Sequence, residues 1–222
     1  MTTNDSADFP IASDHIWSQV LRRPLNTSMR PCLFLDRDGV VVEERHYLHK
    51  PDDVALIDGA AEIIGTANRA GIAVVLVTNQ SGIARGYFSW ADFAATQERI
   101  LGDLAADGAF VDAVYACPHH DVGNPPYDNP DHPARKPNPG MLTRAREALY
   151  LDLSSSWIVG DHATDIGAAY NAGLQGAVHV ATGHGLHEGQ RGNALAYADK
   201  GLNVVIAASI AECAAIIPFL RP

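Results

Sequence analysis

Short apolar segments alternate along this chain with segments of helical periodicity, and several of the apolar segments end in a polar residue. The first runs through residues 32–35 into Asp36, and another runs through residues 72–77 into Thr78. The pattern predicts strands at about 32–36, 72–78, 111–116, 156–160, 176–180 and 203–207, and helices at about 60–70, 89–106, 139–150, 164–172 and 209–217. Such alternation predicts an α/β fold, a doubly wound and mostly parallel sheet covered by helices.

The length of 222 residues fits one domain with a tail. We predict a single domain over residues 30–222, with a proline-rich loop insertion at about 117–136. Residues 1–29 read as an N-terminal extension, in which residues 16–21 could form one or two amphipathic helical turns or belong to a poorly ordered tail. The segment between Val40 and Ala60 is short, so we expect a minimal cap and an open active-site mouth.

The composition restricts the class of protein but gives little information about the substrate. A formal net charge of −10 disfavours nucleic acid as a partner. The three cysteines are odd in number and widely spaced, which favours a reducing compartment, and we expect a cytoplasmic protein. No apolar run approaches membrane-spanning length, and the N-terminus lacks the pattern of a secretion signal. The oligomeric state is open.

An acid pair, Asp36 and Asp38, follows the first predicted strand, and Gly39 comes directly after it. A buried strand would deliver both carboxylates to the carboxyl edge of the sheet, where open α/β sheets bind ligands. Asp36 could act there as a nucleophile and Asp38 as a general acid and base. The alternative is a strand that simply ends in solvated charges.

Three further polar sites fall where phosphoryl transfer needs them. Thr78 leads into a turn whose backbone amides suit a phosphate, Lys136 precedes a predicted helix, and Asp161 ends a third apolar segment. A carboxylate can attack a phosphate dianion only if a hard cation and fixed donors cancel the charge repulsion. We therefore expect Mg²⁺ on Asp36, the backbone carbonyl of Asp38, and Asp161, with Thr78 and Lys136 on the phosphoryl oxygens.

In this order and context the residues resemble the haloacid-dehalogenase-like phosphatases. Three longer strings, at residues 78–86, 117–120 and 135–141, are similar to the D-glycero-D-manno-heptose-1,7-bisphosphate 7-phosphatases and to the related histidinol-phosphate phosphatases. The resemblance implies Asp36 as nucleophile, Asp38 as acid and base, and a Rossmann-like sheet. It also implies five substrate-binding residues: Tyr47, Asn79, Gln80, Ser81 and Arg135. We add Arg85 to this set, because two arginines, Arg85 and Arg135, suit a second phosphate or carboxylate on the substrate.

The resemblance also raises the question of zinc, because the heptose phosphatases commonly hold a structural zinc ion in a loop. Cys117 and His119 match the opening of that loop, and His132 could supply a third ligand, whereas Ala134 replaces the fourth. A structural zinc ion requires four ligands, so a loop without metal is the alternative interpretation.

The sequence therefore predicts a magnesium-dependent phosphomonoesterase that works through an aspartyl-phosphate on a small phosphorylated metabolite. Heptose 1,7-bisphosphate is the leading substrate and histidinol phosphate the closest rival. A non-catalytic phosphosugar-binding protein on the same fold is a third possibility, which the intact pair Asp36 and Asp38 disfavours.

Overall fold

The computed structural model describes residues 9–221 and contains strands and helices close to the predicted positions. The strands are β1 (Trp17–Val20), β2 (Cys32–Leu35), β3 (Ala73–Asn79), β4 (Ala113–Cys117), β5 (Trp157–Gly160), β6 (Gly176–Val180) and β7 (Asn203–Ala207). The helices are α1 (Ala60–Arg69), α2 (Ser81–Ala84), α3 (Trp90–Ala106), α4 (Gly140–Leu149), α5 (Ala163–Ala172), α6 (Gln190–Leu195) and α7 (Cys213–Ile216). Short 3₁₀ turns occur at Pro51–Asp53, Leu153–Ser155, Ile210–Glu212 and Pro218–Leu220.

Within the described range the strands form one seven-stranded sheet in the order β1-β4-β3-β2-β5-β6-β7. All neighbouring pairs are parallel except β1 and β4, which are antiparallel. The predicted doubly wound, mostly parallel α/β fold is therefore confirmed. Strand β2 lies at the centre, and the chain leaves it toward β3 on one side and later reaches β5 on the other. The carboxyl end of β2 is thus the point at which ligands bind in folds of this kind.

Residues along β2 alternate between two cores, one on each face of the sheet. Leu33 and Leu35 pack into one core, whereas Cys32 and Phe34 pack into the other. The first core also takes apolar side chains of α1 and α3, and the second takes those of α4 and α5. Because both faces are covered, β2 is a continuous apolar run rather than an alternating one.

The N-terminal segment departs from the sequence prediction. Residues 17–20 form edge strand β1 rather than a helical turn, with Trp17 opposite Ala116 of β4. Ile16 and Trp17 point into opposite cores, which is the period-2 geometry of a strand. The Trp17 ring packs 5.7 Å from that of Trp90. This tertiary packing decides the conformation, so the helical interpretation was wrong.

Two further segments lie outside the regular sheet. In place of the predicted last helix at 209–217, the structure has a 3₁₀ turn at Ile210–Glu212 followed by α7. The helix ends at Ile216 because Pro218 disfavours helical conformation at the residue before it. The predicted loop at 117–136 contains turns and bends beyond Cys117, without strand or helix. No helix in residues 9–221 combines the length and apolarity needed to span a bilayer.

Candidate active site

A cavity of about 440 Å³ opens at the carboxyl ends of the central strands. Every residue predicted to act in catalysis, magnesium binding or substrate binding lines it: Asp36, Asp38, Tyr47, Thr78, Asn79, Gln80, Ser81, Arg85, Arg135, Lys136 and Asp161. Residues outside these predicted sets also line it, among them Glu44, His46, His162, Thr164 and His184. The three predicted zinc ligands do not.

Asp36 follows the last residue of β2, and its carboxylate is held on one oxygen. Its Oδ1 accepts a hydrogen bond from the backbone N–H of Arg37 at 2.7 Å and lies 3.0 Å from Nζ of Lys136. Burial raises the pKa of Asp36 well above its usual value, Lys136 opposes that effect, and neighbouring carboxylates add to it. The carboxylate thus sits in an acid-rich pocket that favours a bound cation.

Lys136 is buried and surrounded by three oxygen acceptors. Its Nζ donates to the carbonyl of Val77 at 2.8 Å and contacts the carboxylates of Asp36 and Asp165. Burial alone would lower the pKa of Lys136, but the Asp165 and Asp36 carboxylates outweigh it and raise that pKa. The ammonium group is therefore charged and fixed at the cavity wall.

Asp38 is held by two neighbouring side chains. The guanidinium of Arg37, itself fully buried, donates to both carboxylate oxygens at 3.0 Å. Gln80 donates to Oδ2 of Asp38 at 2.8 Å and lies 2.8 Å from Oγ1 of Thr78. These contacts fix the orientation of Asp38 and link it to the predicted phosphate-binding hydroxyl of Thr78.

Asp161 sits at the end of β5 between two glycines with positive φ. A Cβ at either Gly39 (φ 79°) or Gly183 (φ 54°) would overlap the Asp161 carboxylate. The backbone N–H of His184 donates to Oδ2 of Asp161 at 2.7 Å. The His184 side chain lies 3.5 Å from the same oxygen, and its own hydrogen bond to the Asp161 carboxylate raises its pKa. A glycine at position 39 is thus needed for this close approach to Asp161.

Within residues 9–221, one group of acidic, histidine or cysteine side chains is compact enough to hold a metal ion. It consists of Asp36, Asp161 and Asp165, each with an oxygen within 4.8 Å of the others. Asp165 already contacts Lys136 and accepts from the backbone N–H of His162 at 3.0 Å. A donor set made only of oxygen atoms fits a hard cation such as Mg²⁺.

Among the predicted substrate-binding residues, Asn79 has a second structural use. Its side-chain amide donates to the carbonyl of Lys136 and accepts from the N–H of Lys136, both at 3.1 Å. Tyr47 adopts a positive φ of 70° and packs edge-on against Tyr87, with ring centroids 4.8 Å apart. Asn79 therefore holds the backbone of the lysine, and Tyr47 forms part of the cavity rim.

Arg85 and Arg135 place two cations at the cavity wall. Arg85 Nη2 lies 3.0 Å from Nε2 of His120, and Arg135 donates from Nη1 to the carbonyl of His119 at 2.7 Å. Burial lowers the pKa of Arg135, which still leaves the guanidinium charged near neutral pH. Both arginines are thus attached to the 117–136 loop and face the same cavity.

The predicted zinc ligands are not brought together. In the part of the chain that the structure describes, Cys117, His119 and His132 do not form a group of metal-binding size. The rings of His119 and His132 stack face to face, with centroids 4.0 Å apart and planes 5° apart. Nitrogen lone pairs lie in the ring planes, so parallel stacked rings cannot aim them at one ion. Nδ1 of His119 is buried without a partner, but this single nitrogen does not make a tetrahedral site.

Sequence reasoning missed several residues that shape the site. Arg37 stands between the two acids and looks like a spacer, and nothing in the sequence pairs Asp165 with Lys136. Glu44 lines the cavity, and burial together with the nearby charge of Asp38 raises its pKa. The signal available for Arg37 was a charged residue in a strand-end segment that should be buried. His184 acts through its backbone amide, which no side-chain pattern reveals.

Comparison with known proteins agrees with this geometry. The HAD-hydrolase-like family model matches residues 133–205. The chain is 46% identical over 174 residues to the D-glycero-beta-D-manno-heptose-1,7-bisphosphate 7-phosphatase of Mesorhizobium japonicum, covering 78% of this chain and 80% of the relative. The chain belongs to the haloacid-dehalogenase-like phosphatases. It is a phosphomonoester hydrolase, as the sequence predicted.

Further relatives extend this result to solved structures. The Escherichia coli K12 heptose-bisphosphate phosphatase is 40% identical over 153 residues, covering 69% of this chain and 80% of the relative. A HAD-like phosphatase from Mesorhizobium loti superposes with a TM-score of 0.75 at 46% identity, over 78% of this chain and 82% of that one. A D,D-heptose 1,7-bisphosphate phosphatase from B. bronchiseptica, solved with magnesium and phosphate, gives 0.66 at 33% identity, over 82% and 94%. The phosphatase fold and the Rossmann-like sheet are confirmed.

Proposed function

We propose that this phosphatase removes the 7-phosphate of D-glycero-D-manno-heptose 1,7-bisphosphate with the help of Mg²⁺. The observation that carries the proposal is that the acid pair Asp36 and Asp38, a third aspartate, a lysine, a threonine hydroxyl and two arginines line one cavity. The names of the relatives at 40–46% identity support the substrate. The magnesium and phosphate bound in one structural neighbour support the cofactor.

The residues fit a magnesium ion in one arrangement. Asp36 and Asp161 would hold it with their carboxylates, together with the backbone carbonyl of Asp38. Both oxygens of Asp165 are already engaged, Oδ1 by Lys136 and Oδ2 by the N–H of His162, whereas the contacts described for Asp36 and Asp161 each fall on one oxygen. When bound, the ion would cancel the repulsion between the nucleophilic carboxylate and the phosphate dianion.

Asp36 would attack phosphorus, because both hydrogen bonds described for its carboxylate fall on Oδ1 and leave Oδ2 to form the bond. The P–O bond to the leaving group would then break, and Asp38 would give its proton to the departing alkoxide. In the second step Asp38 would take a proton from water, which attacks the aspartyl-phosphate and returns Asp36. Arg37 and Gln80 keep Asp38 in position during both steps.

Thr78 and Lys136 would stabilise the transferring phosphoryl group. Lys136 is charged, buried and anchored on three sides, so its ammonium group can stabilise negative charge without reorganising. The Thr78 hydroxyl lies across the same cavity and is oriented by Gln80. Because these donors are already in place, little of the substrate's binding energy is needed to order them.

Arg85 and Arg135 would select a substrate with a second phosphate. Guanidinium groups bind phosphate in a bidentate manner, and both lie on the cavity wall next to the catalytic residues. Asn79, Gln80, Ser81 and Tyr47 would contact the sugar between the two phosphates. Histidinol phosphate carries one phosphate and an amine, so it offers no partner for a second cationic position.

Side-by-side specificity constants test this function. We expect kcat/KM with Mg²⁺ to favour heptose 1,7-bisphosphate over histidinol phosphate by about 100-fold, or roughly 2.7 kcal/mol of transition-state binding. The sugar product should retain its 1-phosphate. Replacing Arg135→Gln should raise KM for the bisphosphate and leave kcat for an aryl phosphate within about twofold of the wild type. Equal, slow turnover of both substrates would contradict the assignment of heptose 1,7-bisphosphate as the substrate, but it would not contradict the proposed phosphatase reaction.

A further inference from the structure

An aspartate of the N-terminal segment contacts the 117–136 loop. Asp14 lies just before β1 and forms a bidentate ion pair with Arg144 of α4. Its Oδ2 lies 3.8 Å from Nε2 of His132, and its backbone carbonyl lies 3.2 Å from Nε2 of His119. Asp14 therefore contacts both rings of the stacked histidine pair.

The same two histidines hold Arg135 by their backbone carbonyls. The side chain of Arg135 donates from Nη1 to the carbonyl of His119 at 2.7 Å, and its backbone N–H donates to the carbonyl of His132 at 2.9 Å. His119 and His132 are 3% and 7% exposed, so both carbonyls belong to a packed unit. Any movement of the histidine pair would move the arginine that lines the cavity.

The segment that carries Asp14 is itself anchored in the sheet. Ile16 is buried in one core, Trp17 in the other, and β1 pairs with β4 along its whole length. Arg144 lies on α4, one turn into the helix that begins shortly after Lys136. Asp14 thus connects β1 and helix α4 to the 117–136 loop. The stack has no convergent set of metal ligands. It is held by the Asp14 contacts together with the packing of His119 on Tyr127 and the hydrogen bond from the N–H of Ala134 to Nδ1 of His132.

We propose that Asp14 is a positioning residue for Arg135, acting through the stacked pair of His119 and His132 and without a zinc ion. The proposal rests on the proposed function, because it assigns Arg135 to the second phosphate of the substrate. Loss of the Asp14 carboxylate frees Arg144 and loosens the histidine pair, so Arg135 is less often in its binding position. The reacting groups on β2, β3 and β5 have no contact with Asp14 and keep their geometry.

The experiment compares Asp14→Asn, Arg144→Gln and the double variant with the wild type. Each single variant should raise KM for heptose 1,7-bisphosphate about tenfold and leave kcat for an aryl phosphate within about twofold. The double variant should match the singles, because both changes remove the same pair. Asp103→Asn is the control, since it breaks an exposed pair with Arg99 far from the loop. Unchanged KM in both single variants would overturn the proposal, and so would an equal loss of kcat on the aryl phosphate.

Hydrogen exchange gives a second readout that needs no substrate. In Asp14→Asn, backbone amides of residues 130–135 should exchange faster than in the wild type. The amide of Lys136, which donates to Oδ1 of Asn79, and those of β7 at the opposite sheet edge should not change. Unaltered exchange in the loop would overturn the proposal. If the wild type failed to hydrolyse the bisphosphate, the proposed function would fail, and the exchange result would still decide whether Asp14 holds the loop. Zinc analysis gives a further test. One zinc ion per chain in the wild type, lost in Cys117→Ala, would also contradict the proposal.

Discussion

Nζ of Lys136 lies 3.0 Å from Oδ1 of Asp36 and contacts Oδ1 of Asp165 as well. The lysine is thus shared between the nucleophile of the proposed reaction and a second acid that also caps helix α5 through the N–H of His162. This arrangement separates the roles of the three acids at the end of the sheet. Asp36 and Asp161 remain available to a cation, while Asp165 fixes the lysine.

Asp165→Asn should weaken both folding and catalysis. The variant loses a charged, fully buried hydrogen-bond partner of Lys136, so we expect the free energy of unfolding to fall by about 2 kcal/mol. We also expect kcat to fall at least about tenfold, while the Mg²⁺ concentration for half-activation stays unchanged. Urea unfolding and magnesium titrations of activity measure these effects. Asp103→Asn, in an exposed pair, should cost under about 1 kcal/mol. A raised magnesium requirement in Asp165→Asn would instead make Asp165 a metal ligand.

Gly39→Ala should impair magnesium use beyond its effect on stability. An alanine at φ 79° costs roughly 1–2 kcal/mol of backbone strain, and its Cβ would also push against the Asp161 carboxylate. Gly71→Ala is a matched control, because Gly71 has φ 72° and open space around it. Both variants should lose stability in thermal unfolding, and Gly39→Ala should lose more because of the overlap with Asp161. Only Gly39→Ala should need more Mg²⁺, and equal magnesium requirements in the two variants would contradict the packing argument.

Arg37→Lys should slow the reaction although it preserves the charge. A lysine cannot donate to both oxygens of Asp38 in the fork geometry that Arg37 uses, so Asp38 would lose its fixed orientation. We expect kcat on heptose 1,7-bisphosphate to fall at least about tenfold, equivalent to roughly 1.4 kcal/mol. Steady-state kinetics checks this, with Arg99→Lys in an exposed pair as the control. Wild-type kcat in Arg37→Lys would show that the bidentate contact is dispensable.

The three buried cysteines should be unreactive at pH 8 and should set an alkaline limit to stability. Burial raises the pKa of Cys117 to about 11 and that of Cys213 to about 12, and it raises that of Cys32 well above its usual value. The folded state therefore keeps thiols protonated where the unfolded chain loses its protons. Stability from these groups is unaffected below about pH 8.5 and falls as pH rises toward 11, by up to about 1.4 kcal/mol per pH unit and thiol.

Iodoacetamide labelling and urea unfolding check this prediction. Native protein at pH 8 should take up almost no label, whereas denatured protein should take up three equivalents. Unfolding free energies at pH 8 and pH 10 should differ, and the difference should shrink in Cys213→Ala. Rapid labelling of the native protein would contradict the buried environment of the thiols.

Three of the predicted site residues could be found from the sequence because each ends an apolar strand or directly follows one. Asp36, Thr78 and Asp161 come at strand ends, and parallel topology brings such ends to one edge. What the sequence could not supply were contacts made across the fold. The pairing of Lys136 with Asp165 spans separate elements, and β1 became a strand through packing of Trp17 on Trp90 rather than through its own propensity. The stacked His119 and His132 likewise depend on the path of the loop.

The central claim, that Asp36 is the nucleophile of a magnesium-dependent phosphatase, is tested most directly by phosphate release from heptose 1,7-bisphosphate in wild type and Asp36→Asn. Asparagine keeps the shape of the side chain and removes the attacking carboxylate. The account predicts a loss of at least about 10³-fold in kcat for a protein that remains folded, a scale typical of losing a catalytic nucleophile. Activity within tenfold of the wild type in Asp36→Asn would contradict it.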